Sequence, residues 1–193
     1  MNIVLATTSK FKSNILTTVG IKHTLMESNF DESLINIDDV YKNTELKSLG
    51  KAKSIIDKID NGIIIGLDTI VYVNNKILEK PKDLLEAKEY INMCRNNKTE
   101  VITGISIINK ELNTIITTHC ITNVYMRDID ECDIEYYLQN EKNVLYASGF
   151  VIETIMSNFI DKIEGSYYNI LGVPVDLIYK ILNNQGYNLK DFT

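Results

Sequence analysis

The sequence is poor in the residues that build soft-metal sites and disulfide frameworks. It has two histidines, three cysteines, two prolines and no tryptophan among 193 residues. His23 and His119 are far apart in sequence, and Cys94, Cys120 and Cys132 lack the spacing of metal ligands. An odd number of cysteines without such spacing is typical of free thiols in a reducing compartment. We therefore expect a cytoplasmic protein without a histidine- or cysteine-based metal site.

Long runs of a single residue class are also absent. No segment approaches the ~18 continuous apolar residues of a membrane span, and residues 1–6 have neither the basic start nor the length of a signal peptide. The net charge is -6 and there is no long basic run, so we expect neither a membrane nor nucleic acid as a partner. An acidic protein that binds an anion must concentrate its cations locally.

The order of predicted elements indicates an α/β chain. Hydrophobic residues make up 45% of the sequence and charged residues 24%, as in soluble globular proteins, and the length suits one domain or two lobes sharing a core. Apolar periodicity predicts strands at 2–6, 63–66, 69–73, 76–78, 101–108 and 114–126, and helices after Ser9, over 45–60, from Asp83, over 130–138 and over 175–184. Two hairpins among helices favour a mixed sheet rather than a purely parallel one.

Asp68 is the most informative single residue. It follows the apolar run 63–65, precedes a second apolar run at 70–73, and so places a carboxylate where two predicted strands meet. Burying an aspartate there is costly without a cation, a metal or hydrogen-bond donors. The alternative is a turn aspartate that accepts a hydrogen bond from its own backbone.

Further polar residues stand at the edges of other apolar elements. Ser9 is a predicted N-cap directly after the first strand, and Lys12 lies on the first turn of that helix, an arrangement that attracts phosphate. An ordinary capped surface helix with solvated lysines would give the same pattern. Lys51 in the second helix, Lys80 in a loop and Glu32 in a loop are each ordinary surface residues when taken alone.

Together these segments resemble the Maf family of nucleotide pyrophosphatases. The resemblance runs from about residue 3 to residue 183, in order and without large gaps. The segments that carry it are Val4-Leu5-Ala6-Thr7-Thr8-Ser9 with Lys12, Asp31-Glu32, Gly50-Lys51-Ala52, Gly66-Leu67-Asp68-Thr69, Lys80-Pro81-Lys82-Asp83, Thr103-Gly104, Ala147-Ser148-Gly149-Phe150 and the tail from Gly165 to Pro174.

The resemblance implies a single Maf-like domain over 1–193, with a two-lobed mixed-sheet fold, helices on both sides and a nucleotide cleft between the lobes. It implies hydrolysis of a nucleoside triphosphate to the monophosphate and pyrophosphate with a divalent metal, Mg²⁺ or Mn²⁺, in a protein that often forms homodimers. The resemblance implies that Asp68 is the proton acceptor and that Asp68 and Glu32 are metal ligands. It places on the phosphate and metal side the residues Ser9, Lys12, Glu32, Lys51 and Lys80. Three positions are linked to base choice: Phe11, Thr69 and Glu153.

The chain departs from the common family pattern at the first helix and late in the sequence. Ser9-Lys10-Phe11-Lys12 stands where Ser-Pro-Arg-Arg is common, so Lys12 keeps the charge but loses the bidentate fork of arginine. Phe11 and Glu153 together resemble a branch that acts on 7-methyl-GTP. A cationic methylated guanine stacks well on an aromatic ring, and its N–H donors suit a carboxylate. The alternative is a helix-packing phenylalanine and a solvated glutamate.

A second function attached to this family is that of a non-catalytic regulator of cell division and septum formation. The change at Lys12 leaves room for it. Asp68, Glu32, Lys51 and Lys80 argue against it, because a binding module has no need of an acceptor carboxylate beside phosphate-binding lysines. A third function is that of a nucleotide sensor that binds and hydrolyses slowly. Release of pyrophosphate in the presence of Mg²⁺ or Mn²⁺ separates the enzyme from the other two.

Overall fold

The computed structural model describes residues 1–192. Within this range seven strands form: β1 (Ile3–Ala6), β2 (Thr24–Met26), β3 (Ile63–Val73), β4 (Lys76–Leu78), β5 (Lys98–Asn109), β6 (Thr114–Met126) and β7 (Ile160–Glu164). The helices are α1 (Lys10–Thr18), α2 (Val40–Lys53), α3 (Leu84–Cys94), α4 (Glu131–Asn140), α5 (Tyr167–Ile170) and α6 (Val175–Asn184), with short 3₁₀ turns between them.

The seven strands belong to one mixed sheet. Its order is β2-β1-β3-β5-β6-β7, and β4 pairs with β3 beside this path. β1 is parallel to both β2 and β3, whereas the β3–β4 and β6–β7 pairs are antiparallel. The predicted α/β class with a mixed sheet is thus confirmed.

By its internal contacts the chain forms two compact units. Unit 1 comprises Met1–Thr69, Ile102–Cys120 and Ser166–Thr193, and unit 2 comprises Ile70–Val101 and Ile121–Gly165. The single domain over 1–193 and the nucleotide cleft remain predictions. Within residues 1–192, every helix is too short or too polar to cross a membrane.

In unit 1, helices cover both faces of the sheet. Side chains alternate along β1, so Ile3 and Leu5 join one apolar cluster while Val4 and Ala6 join another. The first cluster includes residues of α1 and α6, and the second includes Ala52 of α2. The chain therefore passes from β1 through α1 to β2 on one side, and then through α2 to β3 on the other. Polar residues after β1, and in the part of β3 that extends beyond its pairing with β1, stand at the point where the strand order reverses, which is where open α/β sheets bind ligands.

The predicted limits of α2 were wrong. The prediction was a helix over 45–60 with the apolar stripe Leu46, Leu49, Ala52, Ile56 and Ile59. The helix instead begins after Asp39, whose carboxylate accepts hydrogen bonds from two backbone N–H groups of the first turn, and it ends at Lys53. Its buried residues are Asn43, Thr44, Ser48 and Ala52.

The polar buried face of α2 has a steric cause. A Cβ atom at Gly66 of β3 would overlap the carbonyl oxygen of Ser48, and one at Gly104 of β5 would overlap that of Thr44. The helix backbone therefore lies directly against the strands, with little room for large apolar side chains between them. Small hydroxyl groups fill the space instead, and the Ser48 and Ser106 hydroxyls are 2.8 Å apart.

The predicted break at Asp68 is absent. Two strands, 63–66 and 69–73, were predicted to meet there, but β3 is one continuous strand of 11 residues that contains Asp68. The carboxylate can stay inside the strand because it has a cationic partner, described below. The turn predicted at Asn74-Asn75 is confirmed, with φ values of 49° and 61°, as a tight type I′-like hairpin requires.

Other boundaries agree well with the pattern. β6 and α6 match the predicted 114–126 and 175–184, and Ser9 is the N-cap of α1. In α3 the predicted buried residues Ala87, Ile91 and Cys94 are buried, but Leu84 is 47% exposed because it is the first helical residue. The short elements β2, β7 and α5 carry too few residues to show a periodic pattern, and the sequence did not predict them.

The three cysteines are free thiols, as predicted, and they differ in exposure. Burial raises the pKa of the Cys94 thiol to about 11. The pKa of the Cys120 thiol is also raised to about 11, mainly by burial and to a smaller extent by the negative charge of Asp176. Cys132 is exposed.

Because the thiolate is the reactive form, we expect a thiol reagent at neutral pH to modify Cys132 rapidly in the native protein and the other two cysteines only slowly. A titration with Ellman's reagent should give one fast equivalent and three after unfolding; two or more fast equivalents would contradict this packing.

Candidate active site

The loop after β1 leads directly into the N-terminus of α1. The Ser9 hydroxyl accepts a hydrogen bond from the Lys12 backbone N–H at 3.3 Å, and the Ser9 N–H donates to the Thr7 hydroxyl at 3.1 Å. Ser9 therefore caps the helix, as its position after an apolar strand predicts. The cap and the helix N-terminus together present polar groups at the carboxyl end of β1, where an anion is favoured.

Lys51, Asp68 and Glu32 form the central charged cluster. The Lys51 Nζ atom lies 2.6 Å from Asp68 Oδ1 and 3.0 Å from Glu32 Oε1. The Asp68 side chain is 8% exposed and that of Lys51 17%, whereas the Glu32 side chain is 49% exposed. The structure thus brings together three of the predicted site residues from α2, β3 and the 3₁₀ turn at Glu32–Leu34.

The protonation state of Lys51 follows from its two partners. Burial alone would lower its pKa, but the charge and hydrogen bonds of Asp68, and then of Glu32, outweigh this effect and raise the pKa above its ordinary value. Lys51 is therefore a fixed cation at neutral pH. A buried lysine without these carboxylates would tend to lose its proton.

A pocket of about 150 Å³ adjoins this cluster. Its lining residues are Ala6, Thr7, Thr8, Glu27, Ser28, Phe30, Glu32 and Lys51. The Phe30 ring lies against α2 at Gly50, where a Cβ atom would overlap it. The sequence did not single out Glu27, Ser28 or Phe30, because no regular pattern distinguishes a pocket-lining loop from any other loop.

Lys12 belongs to a second cluster of polar groups. Its Nζ atom lies 3.2 Å from the Thr69 hydroxyl, which is 3.1 Å from the hydroxyl of Thr103. Gly172 packs against both partners, since an added Cβ atom would lie 2.9 Å from Thr69 Oγ1 and 3.1 Å from Lys12 Cε. The sequence indicated Lys12 and Thr69 separately but gave no sign that they are in contact.

Consecutive residues of β3 serve the two clusters. Side chains alternate along a strand, so Asp68 faces α2 and Lys51, whereas Thr69 faces α1 and Lys12. One short segment of β3 therefore places the two lysines on either side of the same strand, near the carboxyl end of β1.

Three further candidates lie at the surface. Phe11 is in the first turn of α1 with 52% of its surface exposed, so its ring is available to a ligand. Lys80 and Glu153 belong to unit 2 and are exposed there. Their roles toward the phosphates and the base remain predictions.

Asp68 and Glu32 are the two carboxylates that could hold a divalent cation in this cluster. Asp68 and Glu32 both contact the same Nζ atom, so the two carboxylates face one point, which the Lys51 ammonium group occupies. Within residues 1–192 no three acidic, histidine or cysteine side chains converge in a metal-type cluster. Mg²⁺ commonly takes one or two carboxylates and completes its shell with water and phosphate oxygens, which is what this pair can offer.

Comparison with known proteins decides the family. The Maf-like protein family matches residues 2–185. The chain belongs to the Maf family. Relatives span its whole length: a "dTTP/UTP pyrophosphatase" of Clostridium botulinum (strain Kyoto / Type A2) is 34% identical, covering 97% of this chain and 99% of that protein. A "Nucleoside triphosphate pyrophosphatase" of Microcystis aeruginosa is 32% identical over 98% and 97% of the two chains. A "dTTP/UTP pyrophosphatase" of Clostridium novyi (strain NT) is 31% identical over 98% and 100%.

Proposed function

We propose that this Maf protein is a nucleoside triphosphate pyrophosphatase that releases the nucleoside monophosphate and pyrophosphate. The observation that carries the proposal is the contact of Lys51 with Asp68 and Glu32, with Asp68 just beyond the parallel pairing of β3 with β1. It combines a fixed cation, a buried carboxylate and a second, exposed carboxylate beside a polar pocket. The names of its full-length relatives support the same activity.

Asp68 is the proposed proton acceptor. It orients a water molecule whose oxygen attacks phosphorus, and it takes the proton that the water loses. The anhydride bond between the α- and β-phosphates breaks, and pyrophosphate leaves with the bonding electron pair. Within residues 1–192 the Ser9 hydroxyl has no described contact with a histidine, so its assigned role is to cap α1 and bind phosphate rather than to act as a nucleophile.

Lys51 and Lys12 are proposed to neutralise the phosphates. Lys51 is held by carboxylates, and an incoming triphosphate can draw its ammonium group away from Glu32, its exposed partner. Asp68 and Glu32 would hold a divalent ion, Mg²⁺ or Mn²⁺, which offsets the negative charge of the triphosphate when it is bound. Lys80 is assigned to the same phosphates.

The test of this activity is the stoichiometry of the products. Incubation of the purified protein with a nucleoside triphosphate and Mg²⁺ or Mn²⁺ should release one pyrophosphate for each monophosphate. Release of diphosphate and inorganic phosphate would contradict the proposed bond cleavage. Nucleotide binding without any hydrolysis would favour the alternative, a non-catalytic regulator of cell division.

The base is proposed to be chosen by Phe11, Thr69 and Glu153, with 7-methyl-GTP as the first candidate. Phe11 and Glu153 are both exposed, as contact with a ligand requires. A cationic purine gains from an aromatic face and from a carboxylate acceptor. The names of the relatives favour a second candidate, dTTP or UTP.

A nucleotide panel distinguishes the two candidates. We expect 7-methyl-GTP to be hydrolysed faster than UTP or dTTP, and Glu153→Gln to narrow or reverse the preference because an amide also carries donors. Phe11→Ala should weaken the purine most, by on the order of 1–3 kcal/mol. Glu89→Gln, at an exposed position of α3, is the control. A wild-type panel led by pyrimidines would overturn the purine assignment and leave the pyrophosphatase activity standing.

The compartment, the oligomeric state and the partners of the enzyme are also proposals. We assign it to the cytoplasm as a homodimer that acts on free nucleotides and binds no nucleic acid. Light scattering on the purified chain measures the oligomeric state, and a mass of 22.0 kDa would contradict the dimer.

A further inference from the structure

We infer that Thr103 is a positioning residue that holds Lys12 in place through the hydroxyl of Thr69. The inference rests on the proposed function, because the effect of Thr103 is read through binding of a triphosphate. Thr103 itself lies behind Thr69 and is assigned no contact with substrate.

The three residues form a chain of hydrogen bonds across the sheet. Lys12 Nζ on α1 donates to the Thr69 hydroxyl on β3 at 3.2 Å, and that hydroxyl is 3.1 Å from the Thr103 hydroxyl on β5. Thr103 is fully buried and Thr69 is half-buried. A buried hydroxyl needs a partner, so Thr103 and Thr69 fix each other's orientation.

The geometry leaves Thr69 few other orientations. Threonine is β-branched and is restricted about its first side-chain torsion. Gly172 closes the remaining side, where even a methyl group would lie 2.9 Å from the Thr69 oxygen. The Thr69 oxygen is therefore a fixed acceptor, and it contributes to holding the Lys12 ammonium group 3.2 Å away.

Such a support matters more for lysine than for arginine. An ammonium group on a flexible four-carbon stem has no planar fork to align it with a phosphate. Holding it in advance reduces the entropy that is lost when the phosphate binds. Thr103 thus helps to restrict the Lys12 ammonium group before a phosphate binds.

The test is Thr103→Val, which removes the hydroxyl and keeps the shape of the side chain. We expect it to raise KM for the best triphosphate about fivefold, the size of one neutral hydrogen bond, with kcat changed less than about twofold. Thr103→Ser retains the hydroxyl and should restore KM. Thr99→Val, an equally buried threonine on the same strand, should leave KM unchanged.

A double-mutant cycle separates positioning from a general structural effect. In a Lys12→Ala background, Thr103→Val should raise KM no further, because the residue through which it acts is gone. A fivefold rise in that background, a wild-type KM for Thr103→Val, or an equal rise for Thr99→Val would overturn the inference.

Binding measurements distinguish this inference from the proposed activity. The α,β-methylene analogues of UTP and GTP cannot be cleaved between these phosphates, so calorimetry with them reports binding alone. If the wild-type protein binds an analogue but releases no pyrophosphate from 7-methyl-GTP, dTTP or UTP, the activity is contradicted while the effect of Thr103→Val on Kd still tests the inference. If Thr103→Val leaves this Kd unchanged, the inference fails whatever the activity.

Discussion

Replacing Asp68 by asparagine is expected to reduce turnover at least ~100-fold, the usual effect of losing a general base. Asparagine has nearly the same shape, and its carbonyl oxygen can still accept a hydrogen bond from Lys51, 2.6 Å away in the native protein. The amide cannot accept a proton from water at neutral pH. The fold and the pocket should therefore persist while the chemistry is lost.

The measurement is kcat from pyrophosphate release, together with thermal unfolding and nucleotide affinity. Asp60→Asn, at an exposed position of the same unit, is the matched control and should behave as wild type. Asp68 is also a proposed metal ligand, so the variant is assayed over a range of Mn²⁺ concentrations. Recovery at high Mn²⁺ would assign Asp68 to metal binding alone, and near-normal turnover throughout would remove it from the mechanism.

Replacing Lys51 by alanine is expected to have the second largest effect, and to act on both binding and stability. Affinity for a triphosphate should fall by about tenfold or more, the loss of one hydrogen bond to a charged group, and affinity for the monophosphate should fall less because less charge is left unneutralised. The side chain of Asp68 is 8% exposed, and removing its cation should cost about 3 kcal/mol of unfolding free energy.

The comparison of two nucleotides identifies the role of Lys51. Calorimetry with the triphosphate and the monophosphate gives the two affinities, and urea unfolding gives the stability. Lys53→Ala, at an exposed position two residues further along α2, is the control for loss of a lysine from this helix. Lys80→Ala should show the same difference between nucleotides without the loss of stability, since Lys80 is exposed. Equal losses for both nucleotides would place either lysine away from the phosphates.

The sequence predicted best those elements whose buried side is apolar. α6 buries Ile178, Ile181 and Leu182, and its limits followed from that stripe. α2 was misplaced because its contact with the sheet is made by backbone and small polar groups, of which Ser48 is fully buried. Such a face carries no apolar periodicity, so the apolar residues up to Ile59 placed the predicted helix too far toward the C-terminus.

The sequence indicated candidate site residues, whose roles remain predictions, and it did not indicate their contacts. The order of segments along the chain indicated Asp68, Lys51 and Glu32, and the structure brings these three together. Thr69 and Thr103, which are in contact, are 34 residues apart in sequence, and no local pattern predicts that contact. Pairing across a sheet depends on register, which the complete fold determines.

The two glycines beneath α2 determine how far Lys51 lies from Asp68. A methyl group at Gly66 or Gly104 would collide with the helix backbone, so the helix would have to move outward from the strand that carries the carboxylate. A displacement of about 1 Å far from the reacting atoms can cost an enzyme about 100-fold in rate. Neither glycine lines the pocket. Inherited or engineered variants at these two positions should therefore inactivate the enzyme while every pocket side chain is unchanged, and a survey restricted to pocket residues would class them as harmless.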